Sequence, residues 1–152
     1  MNQDWEHMSF REIVKKPNYI HYQEHVNLLN QQWTTDFSYG TYLDYLNGLP
    51  SNHLLYGLYH KEQMIGQVAI IIENKLIHNV NQVAHIEDLI VDQRYRRQGL
   101  GQVLLKYCLD IAQHYQCYKV ILNCSPELVD FYQKTKFKSK GYQMAYYTEK
   151  WN

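Results

Sequence analysis

"HIEDLIVDQRYRRQGLGQVLLKYCLDIA", residues 85–112, decides the fold. Its opening is apolar and β-branched apart from two acids, which predicts a central strand over residues 82–91. After the polar turn "DQRYRRQ", Leu100, Val103, Leu104, Tyr107, Cys108 and Ile111 fall at i, i+3, i+4, i+7, i+8 and i+11, one face of a helix. A strand, a basic turn and a helix in that order are one unit of an α/β domain.

Working outward, "MSFREIV" (8–14) alternates as a strand until Pro17 interrupts the chain. Helical spacing predicts helices over 19–33 and 38–49, the second ending at Gly48 with Pro50 beyond. "HLLYGLYH" and "MIGQVAIIIENKLI", joined by "KEQ", form a predicted hairpin. "YKVILNC" (118–124) predicts a strand, Ser125 and Pro126 open a helix over 126–135, and the aromatic tail "FKSKGYQMAYYTEKW" predicts a turn and a last strand. The order β α α β β β α β α β gives an α/β fold.

A chain of 152 residues is the size of one domain, expected here to span 1–152. Fifteen basic and fifteen acidic side chains cancel, so no overall field favours nucleic acid or an anionic membrane as partner. Cys108, Cys117 and Cys124 are odd in number and lie in apolar or strand-like segments, which fits buried thiols in a reducing cytosol. No segment approaches the roughly 20 apolar residues of a membrane span, and "MNQDWEHMSFREIVKK" lacks the apolar core of a signal peptide. The expectation is a soluble, cytoplasmic protein.

The turn carries the chemistry. A helix N-terminus presents backbone N–H groups without helical partners and about half a positive charge, a ready anion site. In "RRQGLG" (96–101), Gly99 and Gly101 allow close approach to the backbone, and Arg94, Arg96 and Arg97 add charge. Two phosphate motifs are excluded: Gln102 and Val103 follow Gly101 where a P-loop needs lysine and serine or threonine, and a dinucleotide fingerprint needs a third glycine. On composition alone, a solvated basic turn capping a helix fits equally well.

Residues 96–101 resemble the Arg/Gln-x-x-Gly-x-Gly/Ala element of the GNAT superfamily of acetyl-CoA-dependent N-acetyltransferases. "HIEDLIV", "YRRQGLG", "LLKYCLDIA", "CYKVILNC" and "FYQKTKF" are similar, in order and spacing, to the eukaryotic-type glucosamine 6-phosphate N-acetyltransferase family. The resemblance implies the GNAT fold: a central, mixed, mostly antiparallel twisted sheet flanked by helices. It implies acetyl-CoA as cofactor, no metal, and acetylation of glucosamine 6-phosphate, a step of UDP-N-acetylglucosamine biosynthesis. The amine would attack the thioester directly, through a tetrahedral intermediate.

Carried over residue by residue, the resemblance places pantetheine along Leu89, Ile90 and Val91. The diphosphate would lie on Arg96, Arg97, Gln98, Gly99, Leu100 and Gly101, and Asp130, Phe131 and Tyr132 would line the rest of the cofactor. Glu87 and Asp88 match the acidic pair that orients or deprotonates the amine. Tyr132 matches the tyrosine that protonates the departing thiolate, a thiol of pKa ~8.5 being within reach of a phenol of ~10. Thr34, Lys75, Leu76, Ile77, His78 and Asn123 are the further candidates for the sugar phosphate, with Thr35 aligning nearly as well as Thr34. Adjacent on a strand, Glu87 and Asp88 should face opposite ways, so one acts directly. The family also implies a homodimer.

Three positions depart from that pattern. Asn123 replaces an acid facing the amino sugar, Tyr147 stands where an arginine for phosphate is expected, and Leu128 replaces an asparagine near the CoA arm. They leave open a GNAT enzyme acting on another amine, such as a different amino sugar, a polyamine or a peptide amine, or a non-catalytic acyl-CoA-binding protein. His21 and His25, four apart without an "HExxH" pattern or a nearby cysteine, read as surface or packing residues rather than metal ligands.

Overall fold

The computed structural model describes residues 6–151, without the side chain of Trp151; residues 1–5, part of the N-terminal segment read above, lie outside them. The described residues form two compact units, one up to Leu122 and one from Asn123 onward.

In the first unit, five strands stand in chain order in one sheet: β1 (Met8–Glu12), β2 (His53–His60), β3 (Gln63–Asn74), β4 (Gln82–Val91) and β5 (Lys119–Ile121). The first four pair antiparallel and β4–β5 is parallel, so the sheet is mixed and mostly antiparallel. The helices are α1 (Tyr19–Leu29), α2 (Tyr39–Gly48), a four-residue turn α3 (Ile77–Val80) and α4 (Leu100–His114).

Local chemistry explains the helix starts. Asn18 Oδ1 accepts the His21 amide at 2.9 Å and Ser38 Oγ the Thr41 amide at 3.1 Å, N-caps that each stabilise a helix by about 1 kcal/mol. α1 stops at Leu29 rather than Trp33. The Asn30 side-chain oxygen takes the Thr35 amide at 2.7 Å and the Thr35 hydroxyl at 2.8 Å, and this turns the chain out of the helix. β3 likewise stops at Asn74 rather than Ile77, because Lys75 N–H bonds Asn81 O and closes a turn in which His78, Asn79 and Val80 have positive φ.

The face that α4 buries is rotated from the expected stripe. Leu100, Leu104, Leu105, Cys108 and Ala112 are buried, while Val103 and Tyr107 are partly exposed. Tyr107 instead stacks on Phe10, ring centroids 4.5 Å apart, and Phe10 stacks on Tyr56. Each buried leucine contributes about 1.5–3 kcal/mol. The helix sits close to the sheet because β3 carries Gly66: a Cβ there would lie 3.1 Å from Ile90 O and 3.3 Å from a Leu104 methyl.

β5 is shorter than the predicted 118–124. In the second unit, the predicted helix is a 3₁₀ turn (Pro126–Leu128) followed by α5 (Val129–Gln133). Tyr132 packs edge-on against Phe131 and Phe137, centroids 5.0 and 6.1 Å away. The expected last strand does not form: among the described residues no strand follows β5, and Tyr142, Met144 and Tyr146 are almost fully exposed. Aromatic, alternating sequence suits a pleated surface, but a strand needs a neighbouring ladder to hold it.

Candidate active site

The site is built around an irregularity in β4. Gln67 pairs with Ile90 and Ala69 with Glu87, so Asp88 and Leu89 together oppose Val68, a β-bulge. Asp88 has φ +51°, a conformation that costs a non-glycine residue about 1 kcal/mol and persists only where the surroundings impose it. The bulge breaks the expected alternation: Ile86 is buried, Glu87 half-buried and Asp88 exposed. The two acids therefore differ in burial.

The second feature is an open strand edge. β5 pairs with β4 only from Val83 to His85, and the ladder stops there. From Ile86 to Val91, β4 offers on that side backbone groups with no strand partner among the described residues. An extended chain bearing amides, as pantetheine does, fits such an edge by strand-like hydrogen bonding.

The edge runs directly into the basic turn. Asp92 and a 3₁₀ turn (Gln93–Tyr95) lead to Arg97, at φ +59°, and Gly99, at φ +83°. Gly99 is the N-cap of α4, so no side chain caps the first-turn amides, and a Cβ placed on it would meet nothing within 4 Å. The end of the helix thus carries no side-chain cap and has open space beside Gly99. The three arginines are not equivalent. Arg94 is bound by Asp92, which accepts its guanidinium at 3.0 and 2.9 Å, whereas Arg96 and Arg97 are exposed, Arg96 steadied by its Nε bond to Val91 O at 2.9 Å. Open amides, free approach and two exposed guanidiniums suit a diphosphate.

Asp88 of the bulge also lines a cavity of about 360 Å³ between α1, α2 and the sheet. Leu29, Trp33, Phe37, Tyr45 and Leu55 supply apolar wall; His25, Thr35, Thr41, Tyr42, Gln67 and Asp88 supply polar groups. Thr35 lines it, while Thr34 is exposed and outside the lining. Three buried polar residues make a chain through its floor. The Tyr42 hydroxyl lies 2.7 Å from His25 Nδ1, His25 Nε2 lies 2.7 Å from Gln67 Oε1, and Gln67 Nε2 donates to Asp88 O at 2.9 Å. Because Gln67 donates to Asp88, its oxygen accepts from His25, which fixes the Nε2–H tautomer and makes Nδ1 the acceptor for Tyr42. Burial lowers the His25 pKa and raises that of Tyr42, so both stay neutral. The Tyr45 phenol is also raised, first by burial and then by the nearby Asp88 charge.

Sequence reasoning missed His25, Tyr42, Gln67 and the aromatic wall. One signal was available: Gln67 is the single polar side chain in Met64–Ile72. The other candidates differ in their surroundings. Leu89 is half-buried, Ile90 and Leu100 are core residues, and Gln98 bonds Arg94 O. Lys75 is paired with Glu73, which also binds His85 at 2.6 Å. Leu76 and Ile77 are exposed and His78 rests against Tyr118, centroids 4.7 Å apart. Asn123, Asp130, Phe131 and Tyr132 belong to the second unit, where Asn123 and Asp130 are exposed. Of the thiols expected to be buried, Cys108 is, Cys117 is half-buried and Cys124 is exposed. Among the described residues, no group of three or more His, Cys, Asp or Glu is placed to hold a metal ion. No helix among them is long and apolar enough to cross a membrane.

The family model described as "Acetyltransferase (GNAT) family" matches residues 9–137. The chain belongs to this family. It is 34% identical to "Glucosamine 6-phosphate N-acetyltransferase 1" of Oryza sativa subsp. japonica over 74% of this chain and 70% of that protein. It is 43% identical to the Candida albicans "Glucosamine 6-phosphate N-acetyltransferase" over 50% of this chain and 51% of that one; with several such relatives the chain thus matches only about half of their length. The crystal structure of the Arabidopsis thaliana glucosamine-6-phosphate N-acetyltransferase superposes with a TM-score of 0.82 at 26% identity, covering 93% of this chain and 99% of that one. The open β4 edge and the glycine turn after it both lie within the residues that the family model matches.

Proposed function

We propose that this protein transfers the acetyl group of acetyl-CoA to the amine of glucosamine 6-phosphate. The observation that carries the reading is the continuity of the bulged, unpaired β4 edge with the open N-terminus of α4, in a chain whose named relatives act on this sugar. Acetyl-CoA supplies the thioester. Leu89, Ile90 and Val91 hold its pantetheine by backbone groups, and Arg96, Arg97, Gln98, Gly99, Leu100 and Gly101 hold its diphosphate, with Asp130 and Phe131 completing the binding surface. Glu87 and Asp88 orient the amine and take its proton, and Tyr132 protonates the leaving thiolate. Thr35, rather than the exposed Thr34, joins Asn123 and the Lys75–His78 turn in contacting the sugar phosphate. A homodimer in the cytoplasm completes the proposal; the exposed Tyr142, Met144 and Tyr146 suit a protein contact.

The test is free-thiol release from acetyl-CoA with glucosamine 6-phosphate and a panel of other amines. Preferred turnover of glucosamine 6-phosphate is expected. Faster release with another amine, and none with this one, overturns the substrate. One observation favours that second reading: among the described residues no lysine or arginine lines the cavity beside Asp88 to neutralise a phosphate.

A further inference from the structure

We propose that Tyr42, His25 and Gln67 are positioning residues, a buried chain that holds the Asp88–Leu89 peptide in the orientation acetyl transfer requires. The inference rests on the reading of the β4 bulge as the place of reaction. Buried amide and imidazole groups in an apolar core are costly unless every polar atom is partnered. Here each is: His25 is 2% exposed, Tyr42 3% and Gln67 4%, and the three bonds described above satisfy them in series. The chain starts on α2, crosses α1 and β3, and ends on one backbone carbonyl, that of Asp88.

That carbonyl belongs to the strained residue. A bulged residue has lost its ladder partner, and φ +51° is a sparsely populated conformation that even aspartate, which tolerates it better than most residues, adopts at a cost. Gln67 supplies the missing constraint, and His25 and Tyr42 fix Gln67. The consequence follows from peptide geometry. No cis peptide occurs among the described residues, so the Leu89 N–H points opposite to the Asp88 C=O, away from Gln67. Holding the carbonyl aims that N–H as a donor for the oxygen on which charge develops when an amine attacks a thioester. His25 is not a base in this arrangement, since both of its ring nitrogens are engaged.

Gln67→Leu and Gln67→Glu test the proposal. In Q67L, kcat is expected to fall about 10- to 100-fold, the scale of a small misplacement of a reacting group, with acetyl-CoA affinity changed less than about threefold. Q67E carries its own control. When protonated, the introduced carboxyl donates to Asp88 O and accepts from His25 as the native amide does; once ionised, it has no donor. Its kcat should therefore fall with rising pH along a limb that the wild type lacks. The titratable groups sharing that cavity are His25 from α1, Tyr42 and Tyr45 from α2, and Asp88 from β4. A folded Q67L with wild-type kcat, or a Q67E with the wild-type pH profile, overturns the proposal. If Q67L does not fold, Q67E decides. Wild-type turnover is measured first, so an inactive wild type sinks the proposed function separately. Imidazole nitrogen NMR reads the chain without turnover: His25 as the Nε2–H tautomer is expected, and the Nδ1–H tautomer refutes the chain even in inactive protein.

Discussion

The Asp92 carboxylate accepts three hydrogen bonds from Arg94: the backbone amide at 2.8 Å, Nε at 3.0 Å and a terminal nitrogen at 2.9 Å. Gln31, just past α1, adds a fourth at 3.3 Å and takes the Gln93 amide at 2.8 Å, so the start of the basic turn is fastened to the neighbouring helix. Arg94 is thereby an anchor of the turn, and the charge available to a ligand comes from Arg96 and Arg97.

Asp92→Asn is expected to lower stability by about 1–2 kcal/mol in urea unfolding, the cost of a weakened buried acceptor. Acetyl-CoA affinity should drop about tenfold, equivalent to about 1.4 kcal/mol. The hydrogen bonds from Arg94 hold the Asp92 carboxyl below the usual carboxylate range against the opposing effect of burial. A depressed folded-state pKa stabilises the fold above the unfolded value of about 3.9, and the contribution is lost as pH falls through the folded value. The gap between wild type and variant should therefore close below about pH 4. A constant gap would remove the carboxylate charge from the account.

Gly99→Ala and Gly99→Glu separate conformation from charge. Alanine meets no atom but must adopt φ +83°, a strain of about 1–2 kcal/mol. Glutamate adds a negative charge where the diphosphate is proposed to sit. Calorimetric titration should show glutamate costing at least about tenfold more acetyl-CoA affinity than alanine, since repulsion of about 1.4 kcal/mol or more is added to the same strain. Equal losses would place the diphosphate elsewhere.

His25→Gln should flatten the acid side of the stability profile. Burial, its largest influence, lowers the His25 pKa below 6.5, so below that pH the unfolded chain takes up a proton that the folded one refuses. Wild-type stability should fall as pH drops from about 6.5 toward the folded value, and the variant should lose less over the same window. Urea midpoints at about pH 7.5 and about pH 5.5, on either side of the unfolded value, make the comparison. An identical decline in both would assign it to other histidines.

Tyr132→Phe is expected to lower kcat about 100-fold, the scale of one general acid, while leaving the acetyl-CoA dissociation constant within about twofold. Stopped-flow turnover with parallel binding measurements checks this. Full activity in the variant would remove Tyr132 from the acid role.

Residues 85–112 by themselves determined the strand, the turn and the helix, because apolar period and glycine placement are local properties. The expectation of an anion site came from them too, since a helix end is polar whatever surrounds it. Tertiary structure decided the rest. The bulge at Asp88 comes from a one-residue mismatch between β3 and β4, which no single segment encodes. His25 reads in sequence as a surface or packing histidine and becomes the middle of a buried chain only when α1 lies across Gln67. The tail shows the reverse: its aromatic alternation predicts a strand, yet Tyr142, Met144 and Tyr146 stand exposed without a ladder. Periodicity is written in neighbours along the chain, whereas register, buried polar pairing and strand partners depend on residues that meet only after folding.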